Sequence, residues 1–155
     1  MSHYDYGFGK GKTSSALGVG LRARGNDMSV LLVRFFKDNK SSELASAPFD
    51  IYPAPEKIPF NVGVEEYLPW VNKALEYVKS SNYDVVILDE FADLIPKFIS
   101  FDEAKSVVAD SSREYIITGH YCNEDLYKIA DYVTRFEKEK HPYDNGVQAR
   151  KGIEY

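Results

Sequence analysis

Apolar runs alternate with amphipathic segments along almost the whole chain. Short, mostly apolar runs predict buried strands, which we place at residues 4–6, 29–36, 49–52, 83–88, 114–117 and 132–136. Apolar residues at helical spacing predict helices at residues 14–24, 65–79, 101–109 and 124–130. The polar segment 37–47 is expected to be a loop, and the proline-rich segment 48–59 is the least predictable. This alternation predicts an α/β fold with a mostly parallel sheet and helices on both faces.

Polar or glycine-rich segments follow three of the predicted strands. They are residues 7–14, the pair Asp89-Glu90 and the run 118–120. Ligands of open parallel sheets bind at the carboxyl ends of the strands. The sequence therefore predicts one site at that edge of the sheet.

Glycine alternates with larger residues directly after the first predicted strand, in the run Gly7-Phe8-Gly9-Lys10-Gly11-Lys12-Thr13-Ser14. Backbone N–H groups of such a loop can turn inward and cradle phosphates, and the helix that follows directs its dipole at the same anion. Lys12 can then reach a phosphate, and the Thr13 hydroxyl can ligate Mg²⁺. We predict that this run binds ATP. The general motif has a glycine where this chain has Tyr6, and the alternative is a glycine-rich turn without a ligand.

The acidic pair Asp89-Glu90 ends a strand of apolar residues, as in a Walker B element. Mg²⁺ bound to a triphosphate needs a nearby carboxylate, which holds the ion directly or through its water shell. We therefore predict a Mg²⁺ site formed by Thr13, Asp89 and Glu90. The alternative is an acidic pair that caps the strand at the surface.

Composition narrows the class of protein. The length of 155 residues fits a single domain over residues 1–155. The net charge of −5 and the isoelectric point near 5.2 argue against a nucleic-acid-binding protein. Cys122 is the single cysteine, which excludes an intrachain disulfide and favours a reducing compartment; we interpret it as structural rather than nucleophilic. With neither an apolar leader nor a membrane-length apolar run in the sequence, we expect a cytoplasmic protein without membrane contact.

Several segments together resemble the ATP:corrinoid adenosyltransferases of the CobA/CobO/BtuR type. Residues 6–14 resemble the family's phosphate loop T-G-N-G-K-G-K-T-T, with the same unusual Gly-Lys-Gly-Lys-Thr. Residues 33–37 are similar to V-Q-F-x-K, residues 86–90 match V-V-L-D-E, and residues 130–134 look like A-D-x-V-T/S. The most specific likeness is the run 140–155, which resembles K-H-x-F/Y-x-x-G-I/V-x-A-x-x-G-I/V-E/D-F/Y.

The resemblance implies a RecA-like P-loop fold and a homodimer. It also implies transfer of the 5′-deoxyadenosyl group of ATP to the cobalt of cob(I)alamin or another reduced corrinoid, with release of triphosphate. Lys10, Lys12 and Thr13 with Mg²⁺ would neutralise the triphosphate together with Asp89 or Glu90, and Lys12 and Glu90 are the candidate catalytic residues. Because Co(I) is itself a strong nucleophile, no general base is needed.

Three departures from the family pattern bear on activity. His120 stands where the family has the arginine of T-G-R; we expect it to contact ATP, and an unpaired histidine is mostly neutral at pH 7. Residues 59–63 replace an aromatic segment that lies near the corrinoid in the family, which leaves Phe60 as the candidate corrinoid contact. Phe8 replaces a small polar residue of the loop. A weaker transferase is expected; the alternatives are a P-loop ATPase in which Glu90 orients a water, and a nucleotide- or corrinoid-binding protein without turnover.

Overall fold

Six parallel strands form one sheet in the computed structural model of the protein, which describes residues 1–38, 41–55, 58 and 63–153. The strands are β1 (Ser2–Tyr6), β2 (Val30–Arg34), β3 (Asp50–Ile51), β4 (Val85–Asp89), β5 (Glu114–Gly119) and β6 (Tyr132–Arg135). The helices are α1 (Lys12–Arg24), α2 (Val64–Ser80), α3 (Phe101–Val107) and α4 (Glu124–Ile129), with 3-10 turns at Ser42–Ala45, Phe91–Leu94 and Pro142–Asn145. None of these helices is long and apolar enough to cross a membrane. The strand order is β3-β2-β4-β5-β1-β6, and all neighbouring strands pair in parallel.

Helices cover both faces of this sheet. Leu32 and Ile87 point to one face, where they pack in a core with Ala16 of α1. Leu31 and Leu88 point to the other face, into a larger core that includes residues of α2, α3 and α4. Successive side chains of a strand point to opposite faces, so strands covered on both sides read as continuous apolar runs. The predicted α/β fold with a parallel sheet is confirmed.

Helix α1 lies close against the sheet. A Cβ atom added at Gly20 would lie 2.8 Å from Cδ1 of Ile87, in the middle of β4. Only a glycine lets the helix approach this strand without displacing the isoleucine. The approach keeps the beginning of α1, at Lys12, beside the carboxyl end of β4.

The strand predicted at 29–36 is shorter in the structure. The chain turns at Phe36, which adopts a left-handed φ of 57°, and the Phe36 N–H donates a hydrogen bond to the Tyr67 hydroxyl of α2 (2.9 Å). Residues other than glycine rarely occupy this conformation, and such strain concentrates at functional sites. The turn brings Lys37 beside Asp89, at the carboxyl end of β4.

Candidate nucleotide-binding site

The glycine-rich run forms the connection between β1 and α1. Gly7 and Gly11 have φ angles of 115° and 118°, which L side chains rarely adopt. Gly11 is the residue before the first turn of α1, so the loop opens directly into the helix N-terminus. Backbone N–H groups at that end carry a partial positive charge and suit an anion.

Contacts with the ends of two other strands hold the loop in place. The Gly7 N–H donates to the carbonyl oxygen of Gly119 at the end of β5 (3.2 Å), and the Gly9 N–H donates to that of Phe136, just after β6 (2.9 Å). A Cβ atom at Gly7 would lie 2.3 Å from the Phe136 oxygen, and one at Gly9 would lie 2.7 Å from the Phe136 carbonyl carbon. These two glycines are therefore required by close backbone contact, independently of any ligand.

Lys12 folds back over the loop. Its Nζ donates hydrogen bonds to the carbonyl oxygens of Gly7 (2.6 Å) and Gly9 (3.2 Å). Burial lowers the pKa of Lys12 from its ordinary value, while the nearby carboxylates oppose this shift. The ammonium group thus lies over the centre of the loop, the place from which it can reach a phosphate.

A buried carboxylate joins the loop to the sheet. Asp89 is fully buried, and its Oδ1 accepts hydrogen bonds from the hydroxyls of Thr13 (2.9 Å) and Thr118 (2.8 Å). The Thr118 hydroxyl in turn accepts the backbone N–H of Glu90 (2.8 Å). The alternative of an acidic pair at the surface is wrong for Asp89, because the side chain points into the site and not into solvent.

Lys37 was not predicted as a site residue, although it ends the segment 33–37 that resembles the family's V-Q-F-x-K. Its Nζ lies 3.0 Å from the Thr13 hydroxyl, 2.6 Å from Oδ2 of Asp89 and 3.2 Å from Oε1 of Glu90. Burial by itself lowers the pKa of Lys37, but the two carboxylates together raise it above its ordinary value. The signal that could have found it is its place just after a buried strand, where parallel sheets bind ligands.

Glu90 lies beside this cluster in a left-handed backbone conformation, with φ of 60°. Burial raises the pKa of its carboxyl group and the charge of Asp89 adds to the shift, whereas Lys37 and His120 oppose it. The left-handed turn directs the Glu90 carboxylate toward Lys37, while that of Asp89 remains in the core. The two carboxylates thus contact the same ammonium group.

His120 is paired with a carboxylate. Its Nδ1 lies 2.6 Å from Oδ2 of Asp93, and its backbone N–H donates to Oδ1 of the same residue (2.9 Å). The hydrogen bond from Asp93 raises the pKa of His120, although burial opposes it. The expectation of an unpaired histidine is therefore wrong, because the 3-10 turn after β4 brings Asp93 against the end of β5.

The oxygen ligands of Thr13, Asp89 and Glu90 suit a divalent cation. Mg²⁺ prefers a few carboxylate and hydroxyl oxygens and completes its coordination with water and phosphate. All three side chains already surround one positive charge, the ammonium of Lys37. These residues therefore fit the Mg²⁺ site predicted from the sequence, and the ion itself stays a prediction.

Two cavities flank the loop. One of about 490 Å³ lies beside the beginning of α1 and is lined by Thr13, Ser14, Leu17, Lys37, Glu43 and Ile153 among others. The other, of about 600 Å³, is lined among others by Phe8, His120, Tyr121, Cys122, Arg135 and Lys138. In the second cavity Phe8 is exposed, with its ring centroid 5.1 Å from that of Tyr121 in an edge-on contact. Cys122, which we interpreted as structural, is exposed there, so core packing does not explain it.

The structure brings most of the predicted residues together. The run 7–14, Asp89, Glu90 and His120 lie at one edge of the sheet, with the exposed side chain of Lys10 at the tip of the loop. Phe60 lies outside the described residues, so its assignment as a corrinoid contact stays a prediction. Which of the assembled residues bind ATP also stays a prediction.

The glycine-rich loop lies between β1 and α1, and the first threonine of α1 is hydrogen-bonded to a buried carboxylate at the end of β4. This arrangement defines a P-loop nucleotide-binding protein. Comparison with known families identifies the branch. A family model described as "ATP:corrinoid adenosyltransferase BtuR/CobO/CobP" matches residues 1–155. The chain therefore belongs to this family, whose members transfer the adenosyl group of ATP to a reduced corrinoid in cobalamin synthesis or salvage. The resemblance found in the motifs is confirmed, and the parallel sheet is that of the family's RecA-like fold.

Individual relatives agree with the family match. The chain is 28% identical to a corrinoid adenosyltransferase of Escherichia coli K12, over 96% of this chain and 82% of the relative. It is also 28% identical to corrinoid adenosyltransferase CobA of Salmonella typhimurium, with the same coverage. A corrinoid adenosyltransferase of Pseudomonas aeruginosa is 28% identical over 96% of this chain and 80% of its own length.

Proposed function

We propose that this chain transfers the 5′-deoxyadenosyl group of ATP to the Co(I) of a reduced corrinoid and releases triphosphate. The observation that carries the proposal is the contact between Thr13 and Asp89, because it joins a phosphate loop to a metal-competent carboxylate in a chain of this family. Mg²⁺ at Thr13, Asp89 and Glu90 would neutralise part of the triphosphate charge. Phe60 remains the candidate contact to the corrinoid.

The chemistry requires little more than position and charge. The electron pair of Co(I) forms the new bond to C5′ of the ribose, and the C5′–O bond breaks with its electrons on the triphosphate. No proton leaves the attacking atom, so the residues need only align the two substrates and stabilise the leaving group. Lys12, the amides at the beginning of α1 and the imidazolium form of His120 supply that stabilisation, together with the exposed Lys10 of the loop.

An anaerobic assay with ATP and chemically reduced cobalamin tests this proposal. The expected products are inorganic triphosphate and a corrinoid with the light-sensitive spectrum of a cobalt–carbon bond. ADP with phosphate would instead identify an ATPase, and no product would identify a binding protein; either result contradicts the proposal. Lys128→Met is the control variant for the lysine substitutions, because Lys128 is exposed and pairs with Asp125, three residues earlier in α4.

Assembly and location belong to the same proposal. We expect a homodimer, as the family resemblance implies, and sedimentation of the purified chain measures it. The single cysteine and the predicted substrates favour the cytoplasm. Fractionation of cells that express the chain tests this location.

Glu90→Gln is expected to weaken the dependence of turnover on Mg²⁺ while leaving corrinoid binding unchanged. The substitution removes one of the two carboxylates around the proposed ion, and a neutral amide is a poorer ligand for a hard cation. A Mg²⁺ titration of the rate should show a midpoint shifted to higher concentration by about tenfold, the order of magnitude of one lost charged contact. An unchanged midpoint and rate would mean that Glu90 has a structural role only.

The contribution of His120 is expected to disappear at alkaline pH. Because its pKa is raised, the imidazolium stabilises the leaving group fully at pH values below the ordinary pKa, and this effect is lost as the pH rises through the raised value. Among the described residues, Asp93 and Glu90 are the carboxylates that raise the pKa of His120, and the ammonium of Lys12 lowers it. Asp93→Asn should therefore move the alkaline limb of the rate profile to lower pH, and His120→Arg should flatten the limb.

A similar pair provides the control for this pH dependence. His3 Nε2 and Glu114 Oε1 are 2.7 Å apart, but they lie at the opposite end of the strands from the loop. Glu114→Gln should leave the pH–rate profile unchanged. If Asp93→Asn also leaves the profile unchanged, His120 does not act on the triphosphate.

A further inference from the structure

We propose that Lys37 occupies the divalent-cation position in the nucleotide-free protein, so that the metal ion enters only together with the nucleotide. This inference rests on the metal site of the proposed function. It adds that the Lys37 ammonium is the cation at that site before the metal ion binds, and that the metal ion must displace it. Lys37 is thus a positioning residue, which keeps the carboxylates in place before substrate arrives.

The first argument is geometric. Three oxygens, one from the beginning of α1 and two from the adjacent residues at the end of β4, converge on Nζ of Lys37. They are the Thr13 hydroxyl at 3.0 Å, Oδ2 of Asp89 at 2.6 Å and Oε1 of Glu90 at 3.2 Å. These are the donor groups that a hard divalent cation takes, at about 2.0–2.1 Å for Mg²⁺. The ammonium and the ion cannot occupy this space together.

The second argument is electrostatic. The side chain of Asp89 is fully buried, and a buried carboxylate without a partner is strongly destabilising. Lys37 supplies the compensating charge while no metal is present. A free divalent ion must therefore displace a paired ammonium, and the displaced ammonium then needs an anion of its own.

The third argument is that a cavity next to the Lys37 ammonium leaves room for it to move away from the carboxylates. Its side chain is 26% exposed and lines the cavity of about 490 Å³ beside Ser14 and the beginning of α1. A triphosphate bound at the loop would bring negative charge to this side of α1. The phosphates of the nucleotide would thus become new partners of the Lys37 ammonium when the metal ion binds Thr13, Asp89 and Glu90.

Binding of Mn²⁺ alone, measured by electron paramagnetic resonance without nucleotide, tests the inference. The unmodified protein should bind Mn²⁺ weakly, and Lys37→Met should bind it at least about tenfold more tightly, because the competing charge is gone. Mn²⁺ should also raise the melting temperature of Lys37→Met and not that of the unmodified protein. Lys128→Met, which removes an exposed lysine, should behave like the unmodified protein.

Each outcome decides the matter. Equal Mn²⁺ affinity in Lys37→Met and the unmodified protein overturns the inference. If the variant fails to fold without metal, folding restored by Mn²⁺ supports the inference, and failure to restore it contradicts it. If the unmodified protein binds Mn²⁺ together with ATP, the metal site of the proposed function is supported, even if the result for Lys37→Met contradicts the inference about Lys37. If no Mn²⁺ binds with or without ATP, the metal site of the proposed function is contradicted as well.

Discussion

Replacing Lys12 by methionine is expected to weaken ATP binding by about 10- to 150-fold. The ammonium of Lys12 lies over the loop, held by the carbonyl oxygens of Gly7 and Gly9, and a phosphate in the loop would take it as a partner. A hydrogen bond to a charged group contributes about 1.5–3 kcal/mol, and about 1.4 kcal/mol corresponds to a tenfold change in affinity. Methionine keeps the unbranched shape and most of the length of the side chain, so the loss mainly reports the ammonium group.

Titration calorimetry with Mg-ATP measures this change. Lys128→Met should bind ATP as the unmodified protein does, since Lys128 pairs with Asp125 on the surface of α4. Circular dichroism should confirm that both variants retain the fold. Unchanged ATP affinity in Lys12→Met would show that the glycine-rich run is a turn and not a phosphate loop.

Asp89→Asn is expected to lower the free energy of unfolding by about 3 kcal/mol, the lower end of the range for a broken buried ion pair. The lower end applies because Lys37 keeps its contact with Glu90 and is partly exposed. The carboxylate of Asp89 accepts hydrogen bonds from Thr13, Thr118 and Lys37, whereas an amide offers one oxygen and an NH₂ group. At least one donor then faces another donor in the protein interior.

Urea denaturation of the metal-free protein measures this effect. Asp125→Asn, which removes an exposed carboxylate, should change the free energy of unfolding by no more than about 0.5 kcal/mol. The Asp89 variant should in addition lose the Mg²⁺ dependence of turnover altogether. A loss of stability below about 1 kcal/mol would mean that Asp89 is not the buried partner on which the cluster depends.

A local sequence pattern predicts where two parts of the candidate site lie in the fold, while their binding of ATP and Mg²⁺ stays a prediction. The run 7–14 has the loop geometry because its glycines stand where φ is positive or where backbones touch. Asp89 ends an apolar strand, and its position at the carboxyl end of β4 follows from the parallel sheet. Both inferences need only the order of residues along one short segment.

The parts that depend on tertiary contacts were missed. Lys37 approaches Asp89 because β2 neighbours β4 in the sheet and because the chain turns at Phe36, and neither fact is visible in residues 29–37. The charge of His120 depends on Asp93, which comes from the 3-10 turn after another strand. In both cases the partner of the residue is distant in sequence, so local propensity and spacing do not predict the contact.

The backbone contacts of Gly7 and Gly9 have a consequence for the energetics of ligand capture. Phosphate loops that become ordered only around their ligand lose conformational entropy at the moment of binding. Here the ends of β5 and β6 hold the loop through Gly119 and Phe136 before any ligand is present, so this entropy is lost when the protein folds. The amides of Gly7 and Gly9 should resist hydrogen exchange almost as well as those of the neighbouring strands, and their contacts should open only when the edge of the sheet itself unfolds.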